Sequence, residues 1–413
     1  MVLKYSVLGL LTVTVVNAYE NGLNLVPQMG WNSWNKFGCH INETIIVETA
    51  QKIKDLGLLD YGYNYIVMDD CYALKERGPD GKITADPEKF PNGIKHLSDR
   101  IHEMGFKFGM YSSAGRYTCA GYPGSLDHEE IDADTFVNDF GIDYLKYDNC
   151  YNEGRSGTPE ISYNRYKVMS DALNKTGKPV FYSLCQWGED QVWNWGGQIA
   201  NSWRVTGDIY DNFDRYDDRC PCETFYCEGL QGYYCSVNNI IEKTIPLGQK
   251  ANTISGWNDM DSLEVGNGGM TYDEYVSHFT IWSILKSPLV LGNDVANMSD
   301  EDFSIVTNKD IIAINQDEES TPAVRVWKID EVSLFKMSLS NNSQVITLYN
   351  AGTQNVTDWE ITFDEIWFDD KKLANLTYDA RELWTNETAV LSTSFNASVK
   401  PHGVKIWKLT PKD

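Results

Sequence analysis

The chain has 413 residues, 42% of them apolar and 13% aromatic, enough to bury a large core and to set disorder aside. Its 35 lysines and arginines face 59 aspartates and glutamates, a net charge of −24, so phosphate backbones and anionic lipid repel it. Nucleic acid and membrane are therefore excluded as partners, and the expected ligand is neutral or cationic.

Residues 1–18 read as a signal peptide. Lys4 supplies the basic start, Val7 to Val16 is an apolar run too short for a bilayer, and Val16-Asn17-Ala18 places small residues at the −3 and −1 positions of a cleavage site. A secreted, extracellular chain starting at Tyr19 is expected. Export agrees with sequons at Asn42, Asn174, Asn297, Asn341, Asn355, Asn375, Asn386 and Asn396, which predict a glycosylated surface concentrated at the C-terminal end.

From about residue 25 to 315, short apolar runs alternate with helix-like segments. Tyr65 to Met68, Phe106 to Tyr111, Tyr144 to Tyr147, Val180 to Leu184 and Pro288 to Gly292 predict strands buried on both faces. Ile45 to Leu58 and Ile161 to Leu173 carry apolar residues at helical spacing. Repeated strand-helix order over nearly 300 residues predicts an eight-stranded α/β barrel; a Rossmann fold lacks its G-x-G-x-x-G after a strand. The acidic stretch Gln316 to Pro322 separates this pattern from strand-like runs at Val324 to Ile329, Val332 to Leu339, Val345 to Tyr349 and Val404 to Leu409. The expected division is a signal peptide at 1–18, a (β/α)8 TIM barrel at 19–318 and an antiparallel β domain at 319–413.

Nine cysteines, an odd number, leave at least one thiol free or paired between chains. Cys185 is the expected free thiol, because it ends the apolar run that reads as a buried strand. Cys220, Cys222, Cys227 and Cys235 have no paired C-x-x-C spacing, and an oxidising route favours disulfides there over a four-thiolate zinc site.

Barrel chemistry sits where strands end. Three strand-like runs end in carboxylates, at Asp69-Asp70, at Asp148 and at Asp208. Asp commonly ends strands through turn chemistry alone, so it is the concurrence that carries weight. Lys146 and Asp148 are two residues apart and share one strand face, where a cation favours the ionised carboxylate, as suits a nucleophile. Asp69-Asp70 is a like-charge pair that needs ligand hydroxyls, a metal or basic partners. The six histidines show no paired-ligand spacing, so no metal is expected, and there is no G-x-S-x-G elbow and no phosphate loop. A nucleophile and an acid/base carboxylate are what glycoside hydrolysis needs. Trp31, Trp34, Trp187, Trp193, Trp195 and Trp257 near strand ends suit the apolar face of a sugar, although about half of them are expected to be core residues.

The stretches Met29-Gly-Trp-Asn-Ser-Trp34, Met68-Asp-Asp-Cys71, Tyr144-Leu-Lys-Tyr-Asp-Asn-Cys150, Cys185-Gln-Trp-Gly188, Trp203-Arg204 with Asp208, and Gly256-Trp-Asn-Asp-Met-Asp261 closely resemble the glycoside hydrolase family of the α-galactosidases. Within it, they are most similar to the secreted fungal melibiases. The resemblance implies a catalytic barrel followed by a β-sandwich, no cofactor, an α-galactoside oligosaccharide as substrate, and a homo-oligomer, with a tetramer as the form to test. It implies Asp148 as nucleophile and Asp208 as acid/base. Asp69 and Asp70 would hold the galactose 4- and 6-hydroxyls, Lys146 the 3- and 4-hydroxyls, and Arg204 with Asp261 the 2-hydroxyl. Trp34 and Tyr111 would line the pocket, with Cys150 at its wall, and Gln249 matches a further binding position of the fungal enzymes. It also implies the disulfides Cys39-Cys71 and Cys119-Cys150, with Cys220-Cys235 and Cys222-Cys227 in the tight group, whose spacing is shorter than usual. Animal members have Glu where this chain has Gln186. Trp187 beside Gln186 argues against room for a 2-acetamido group, and so against the α-N-acetylgalactosaminidase alternative. The presence of both Asp148 and Asp208 argues against a catalytically silent glycan-binding protein.

Overall fold

A computed structural model describes residue 19, residues 21–214 and residues 235–412. The expected signal peptide and Cys220, Cys222 and Cys227 lie outside the described residues. Eight parallel strands form one sheet: β1 (Met29–Asn32), β2 (Tyr65–Val67), β3 (Lys107–Ser113), β4 (Tyr144–Asp148), β5 (Phe181–Cys185), β6 (Ser202–Arg204), β7 (Trp257–Asp259) and β8 (Leu289–Leu291). Their spatial order follows the chain from β1 to β7, and β8 returns beside β1. Just past β7, Leu263 bridges Leu291 in parallel and so joins the two remaining edges. This is the curled eight-strand sheet of a TIM barrel.

Period-two alternation sorts the side chains. On β4, Leu145 and Tyr147 are buried outward, Tyr147 meeting Tyr166 of the helix Pro159–Lys175 at 5.7 Å. Tyr144, Lys146 and Asp148 take the other face. At the base of the barrel, Tyr144 stacks on Phe181 of β5 at 5.3 Å, with Tyr65 of β2 at 5.9 Å from Phe181. One layer up, Lys146 and Ser183 line a cavity of about 20 Å³, and Asp148 and Cys185 form the top layer. The interior therefore grades from an aromatic plug to charged groups at the carboxyl ends of the strands. Each large buried side chain stabilises the fold by roughly 2 kcal/mol.

Helix starts are set by local caps worth about 1 kcal/mol each. Asn42 accepts from Ile45 N at the start of Glu43–Asp55, and Thr158 accepts from Ile161 N ahead of Pro159. Thr271 and Glu274 form a capping box on the helix Tyr272–Ile284. No helix among the described residues is long and apolar enough to cross a membrane.

After the helix Lys309–Asn315 the chain becomes antiparallel: β9 (Val324–Ile329), β10 (Val332–Ser338), β11 (Gln344–Asn350), β12 (Val356–Thr362), β13 (Tyr378–Glu382), β14 (Thr388–Leu391), β15 (Ser394–Val399) and β16 (Val404–Pro411). Six of these make a sheet in the order β14-β13-β16-β11-β10-β9, and β12 pairs with β15. Leu334, Leu348 and Leu409 of the larger sheet pack with Ile361 and Val399 of the smaller, giving this β-sandwich its own core. Seven sequon asparagines, Asn174, Asn297, Asn341, Asn355, Asn375, Asn386 and Asn396, are exposed, whereas Asn42 is half-buried as a helix cap.

Candidate active site

The carboxyl ends of β1 to β7 converge on one group of charged side chains. At the end of β2, Asp69 Oδ2 accepts from Lys146 Nζ and from Asn32 Nδ2, each at 2.8 Å. Asp70 accepts from the N–H groups of Cys71 (2.7 Å) and Ala120 (2.9 Å). The like-charge pair is thus relieved by one cation and by backbone dipoles. Burial still pushes the Asp70 carboxyl above its ordinary range, with the Asp69 charge adding to the rise. Burial opposes the Lys146 cation too, yet Asp69 and the neighbouring carboxylates hold its pKa well above the usual lysine value.

Asp148 ends β4. The Tyr111 hydroxyl donates to its Oδ2 and Asn149 N–H to its Oδ1, both at 2.8 Å. Burial pushes Asp148 up to about 6; Lys146 opposes the rise and Asp208 adds to it. The expected disulfides Cys39–Cys71 and Cys119–Cys150 are both formed. A carboxylate oxygen of Asp148 lies within 4.8 Å of both sulfurs of the second, which therefore walls the pocket. Gly115 lets the two loops close there, because a Cβ would sit 1.7 Å from the Cys150 carbonyl oxygen. Cys185 is a buried free thiol, as expected, 3.6 Å from Arg204 Nη1.

Arg204, at the end of β6, is a hub. Its Nη2 lies 2.7 Å from Asp261 Oδ2, 3.1 Å from Asp208 Oδ1 and 2.8 Å from the Gly207 carbonyl. Asp261 has φ +78°, a strained conformation for a non-glycine residue, and its Oδ2 also accepts from Ile209 N–H at 2.8 Å. Burial raises the Asp208 pKa while Arg204 opposes it. Asp208 keeps 32% of its side chain exposed and faces a mouth pocket of about 640 Å³ lined by Trp34, Tyr210, Asp211, Glu264 and Asn267. Two carboxyls, one enclosed and raised further by the charge of the other, which sits at the mouth, can divide the roles of ionised nucleophile and protonated acid.

Residues 26–317 match the family described as alpha galactosidase A, melibiase, and residues 330–409 match its C-terminal beta sandwich domain. An α-galactosidase of Schizosaccharomyces pombe is 58% identical over 400 residues, covering 95% of this chain and 91% of the relative. The chain belongs to the melibiase family of α-galactosidases. Among solved structures of this family, α-galactosidase I of Mortierella vinacea superposes with a TM-score of 0.91 at 50% identity, covering 95% of this chain and 98% of that one. A Saccharomyces cerevisiae α-galactosidase solved with raffinose gives 0.90 at 43% identity, covering 95% and 99%.

Within this melibiase site, Asp69, Asp70, Lys146, Asp148, Arg204, Asp208 and Asp261 are linked by the contacts above, with Trp34 and Tyr111 alongside. Trp187, 8% exposed with φ +64°, directly follows the Cys185-Gln186 end of β5. Gln249 is not brought to the group. It is exposed on the turn Ile245–Lys250, which precedes β7 and where Leu247 O accepts from Asn258 and Gly248 lies beside Pro322. Of the tight cysteine group, Cys235 is disulfide-bonded, and the pairing lies outside the described residues. Trp31 and Trp257 are fully buried, with their indole N–H groups on Asn293 O and Asn24 O, and so are core residues.

Three further groups of the site were not singled out from the sequence. Asp259 lines the small interior cavity, and burial pushes it up to about 6. Glu264, at the mouth, is pushed up to about 8 by burial while Asn35 and Asn267 donate to its two oxygens. Asn32 orients Asp69. The Trp257-Asn-Asp-Met-Asp261 motif did contain the signal for Asp259, because β7 ends on it, two residues before Asp261.

Proposed function

We propose that this chain is a secreted, retaining exo-α-galactosidase that removes terminal α-1,6-linked galactose from melibiose, raffinose-type sugars or galactomannan. In the first step Asp148 attacks the anomeric carbon, the glycosidic C–O bond breaks, and the Asp208 proton passes to the leaving oxygen. In the second, Asp208 takes a proton from water, the water oxygen attacks the same carbon, and the ester to Asp148 breaks to release α-galactose. Retention calls for carboxyl groups about 5 to 5.5 Å apart. Asp69 and Asp70 are assigned to the 4- and 6-hydroxyls, Lys146 to the 3- and 4-hydroxyls, and Arg204 with Asp261 to the 2-hydroxyl.

The observation that carries this reading is that the strand ends bring Asp148 and Asp208 to one charged group, with Lys146 on Asp69 at 2.8 Å and Arg204 on Asp208 at 3.1 Å. The raffinose-bound relative supports the choice of substrate class. The test is a panel of melibiose, raffinose, galactomannan and the nitrophenyl glycosides of α-galactose and its N-acetyl analogue. Turnover of the galactosides, with the N-acetyl analogue at least ~100-fold slower, is expected, as suits a pocket closed to one substituent. Preference for the N-acetyl analogue would overturn the assignment.

A further inference from the structure

We propose that His402, on a turn of the C-terminal domain, is a positioning residue for Asp208; this rests on the reading of Asp208 as the acid/base. Asp208 lies on no helix or strand, and its side chain leans on Arg204 at 3.1 Å. The stretch that continues from it to Asp214 is paired with the backbone that follows: Cys235 N–H donates to Asp208 O at 2.6 Å, Tyr210 N–H to Cys235 O at 3.0 Å and Val237 N–H to Asn212 O at 3.0 Å, and three holds through side chains add to these. Ile209 N–H donates to Asp261, as above. The Asp211 carboxylate accepts from the Tyr275 hydroxyl at 3.1 Å and from Gly269 N–H at 2.5 Å. The third hold comes from the other domain.

There, the turn from Lys400 to Gly403 joins β15 to β16, closed by Gly403 N–H on Lys400 O at 3.1 Å. His402 takes a left-handed φ of +54°, which turns its ring out of the β-sandwich. The ring stacks on Phe213, with centroids 4.5 Å and planes 22° apart. Nδ1 lies 2.7 Å from Glu274 Oε1, and Nε2 lies 3.5 Å from Asp214 Oδ2. The His402 carbonyl accepts from Ser277 Oγ at 2.7 Å. Phe213 is itself buried against Tyr349 of β11, and its carbonyl accepts from Asn238 N–H at 2.8 Å.

Glu274 connects the holds. Its Oε2 closes the capping box with Thr271 while its Oε1 meets His402, and the next residue, Tyr275, grips Asp211. One helix start therefore carries both the Tyr275 hold on Asp211 and the Glu274 contact with His402. A proton donor must be held to within a fraction of an ångström of its productive position, and misplacement by about 1 Å can cost on the order of 100-fold. The β-sandwich reaches the catalytic loop through His402 without touching the sugar pocket itself.

The test separates positioning from mere stability by the leaving group. A nitrophenolate departs with little help from an acid, whereas the sugar alcohol of melibiose requires it. In the full chain, His402→Ala should lower kcat/KM for melibiose by about 10-fold and for nitrophenyl α-galactoside by no more than about 2-fold. His402→Phe, which keeps the stack, should recover most of the melibiose loss. Equal losses on both substrates, or no loss, would overturn the proposal. If the alanine variant does not fold, Phe213→Leu removes the same stack from the barrel side and is read in the same way. Asp208→Ala is run in parallel. If it shows no leaving-group dependence, the acid/base reading falls and this proposal with it; if it does and His402→Ala shows equal losses, only the positioning role falls.

Discussion

Asp148→Asn should lower turnover of melibiose by on the order of 10⁴-fold or more while galactose binding survives within a few fold. Asparagine keeps the shape of the side chain, so the Tyr111 hydroxyl and Asn149 N–H retain a partner, but it cannot form the glycosyl ester. The fold should not suffer. Burial places the Asp148 carboxyl at about 6, above its unfolded value near 4, so the native state prefers the protonated group. The stabilisation from that preference is complete below the unfolded value and is lost as pH rises through about 6. At pH 7 the parent enzyme carries the cost of a buried anion, and the asparagine variant does not. The melting temperature of the variant should therefore equal or exceed that of the parent at pH 7, with the advantage vanishing near pH 4. A variant that melts early and no longer binds galactose would make Asp148 structural.

Asp208→Ala should show a different profile. Loss of the acid should lower kcat/KM for melibiose by about 10² to 10⁴-fold and for nitrophenyl α-galactoside far less, because only the sugar alcohol needs a proton to leave. Azide should accelerate the variant on the activated substrate and give α-galactosyl azide, since an anion that displaces the Asp148 ester needs no base. Uniform losses across leaving groups, with no azide product, would move the acid role elsewhere, Glu264 in the lining of the same mouth pocket, pushed up to about 8 by burial, being the residue to test next. The alanine also removes one partner of Arg204, yet Asp261 at 2.7 Å keeps that guanidinium paired, so folding should persist.

How far these residues were legible before any coordinates depends on the length of the element carrying them. β3, β4 and β5 span five to seven residues, long enough for buried runs to stand out, and the shared face of Lys146 and Asp148 follows from alternation alone. β6, β7 and β8 have three residues each, too few to show a period, and β6 and β7 were visible only through the motifs attached to them. Asp261 illustrates the limit. Its reach to Arg204 depends on a positive φ beyond the strand end, which no alternation pattern predicts. Gln249, which the resemblance matches to a further binding position, lies exposed on the turn Ile245–Lys250 before β7, where no strand-end pattern could place it. The tryptophans divided by element: Trp34 starts the short helix Trp34–Phe37 past the end of β1 and reaches the mouth pocket, while Trp31 on β1 and Trp257 on β7 go to the core. The hold of His402 on the Asp208 loop links residues far apart in sequence and in different domains, beyond any local signal.

The central claim is that Asp148 displaces the leaving group and is itself displaced by water, so that two inversions return the starting configuration. Proton NMR of the anomeric region during the first minutes of nitrophenyl α-galactoside hydrolysis tests it directly, before mutarotation mixes the anomers. The account predicts that α-galactose accumulates first and that the β-anomer follows only as mutarotation proceeds. Initial β-galactose would mean a single displacement by water and would contradict it.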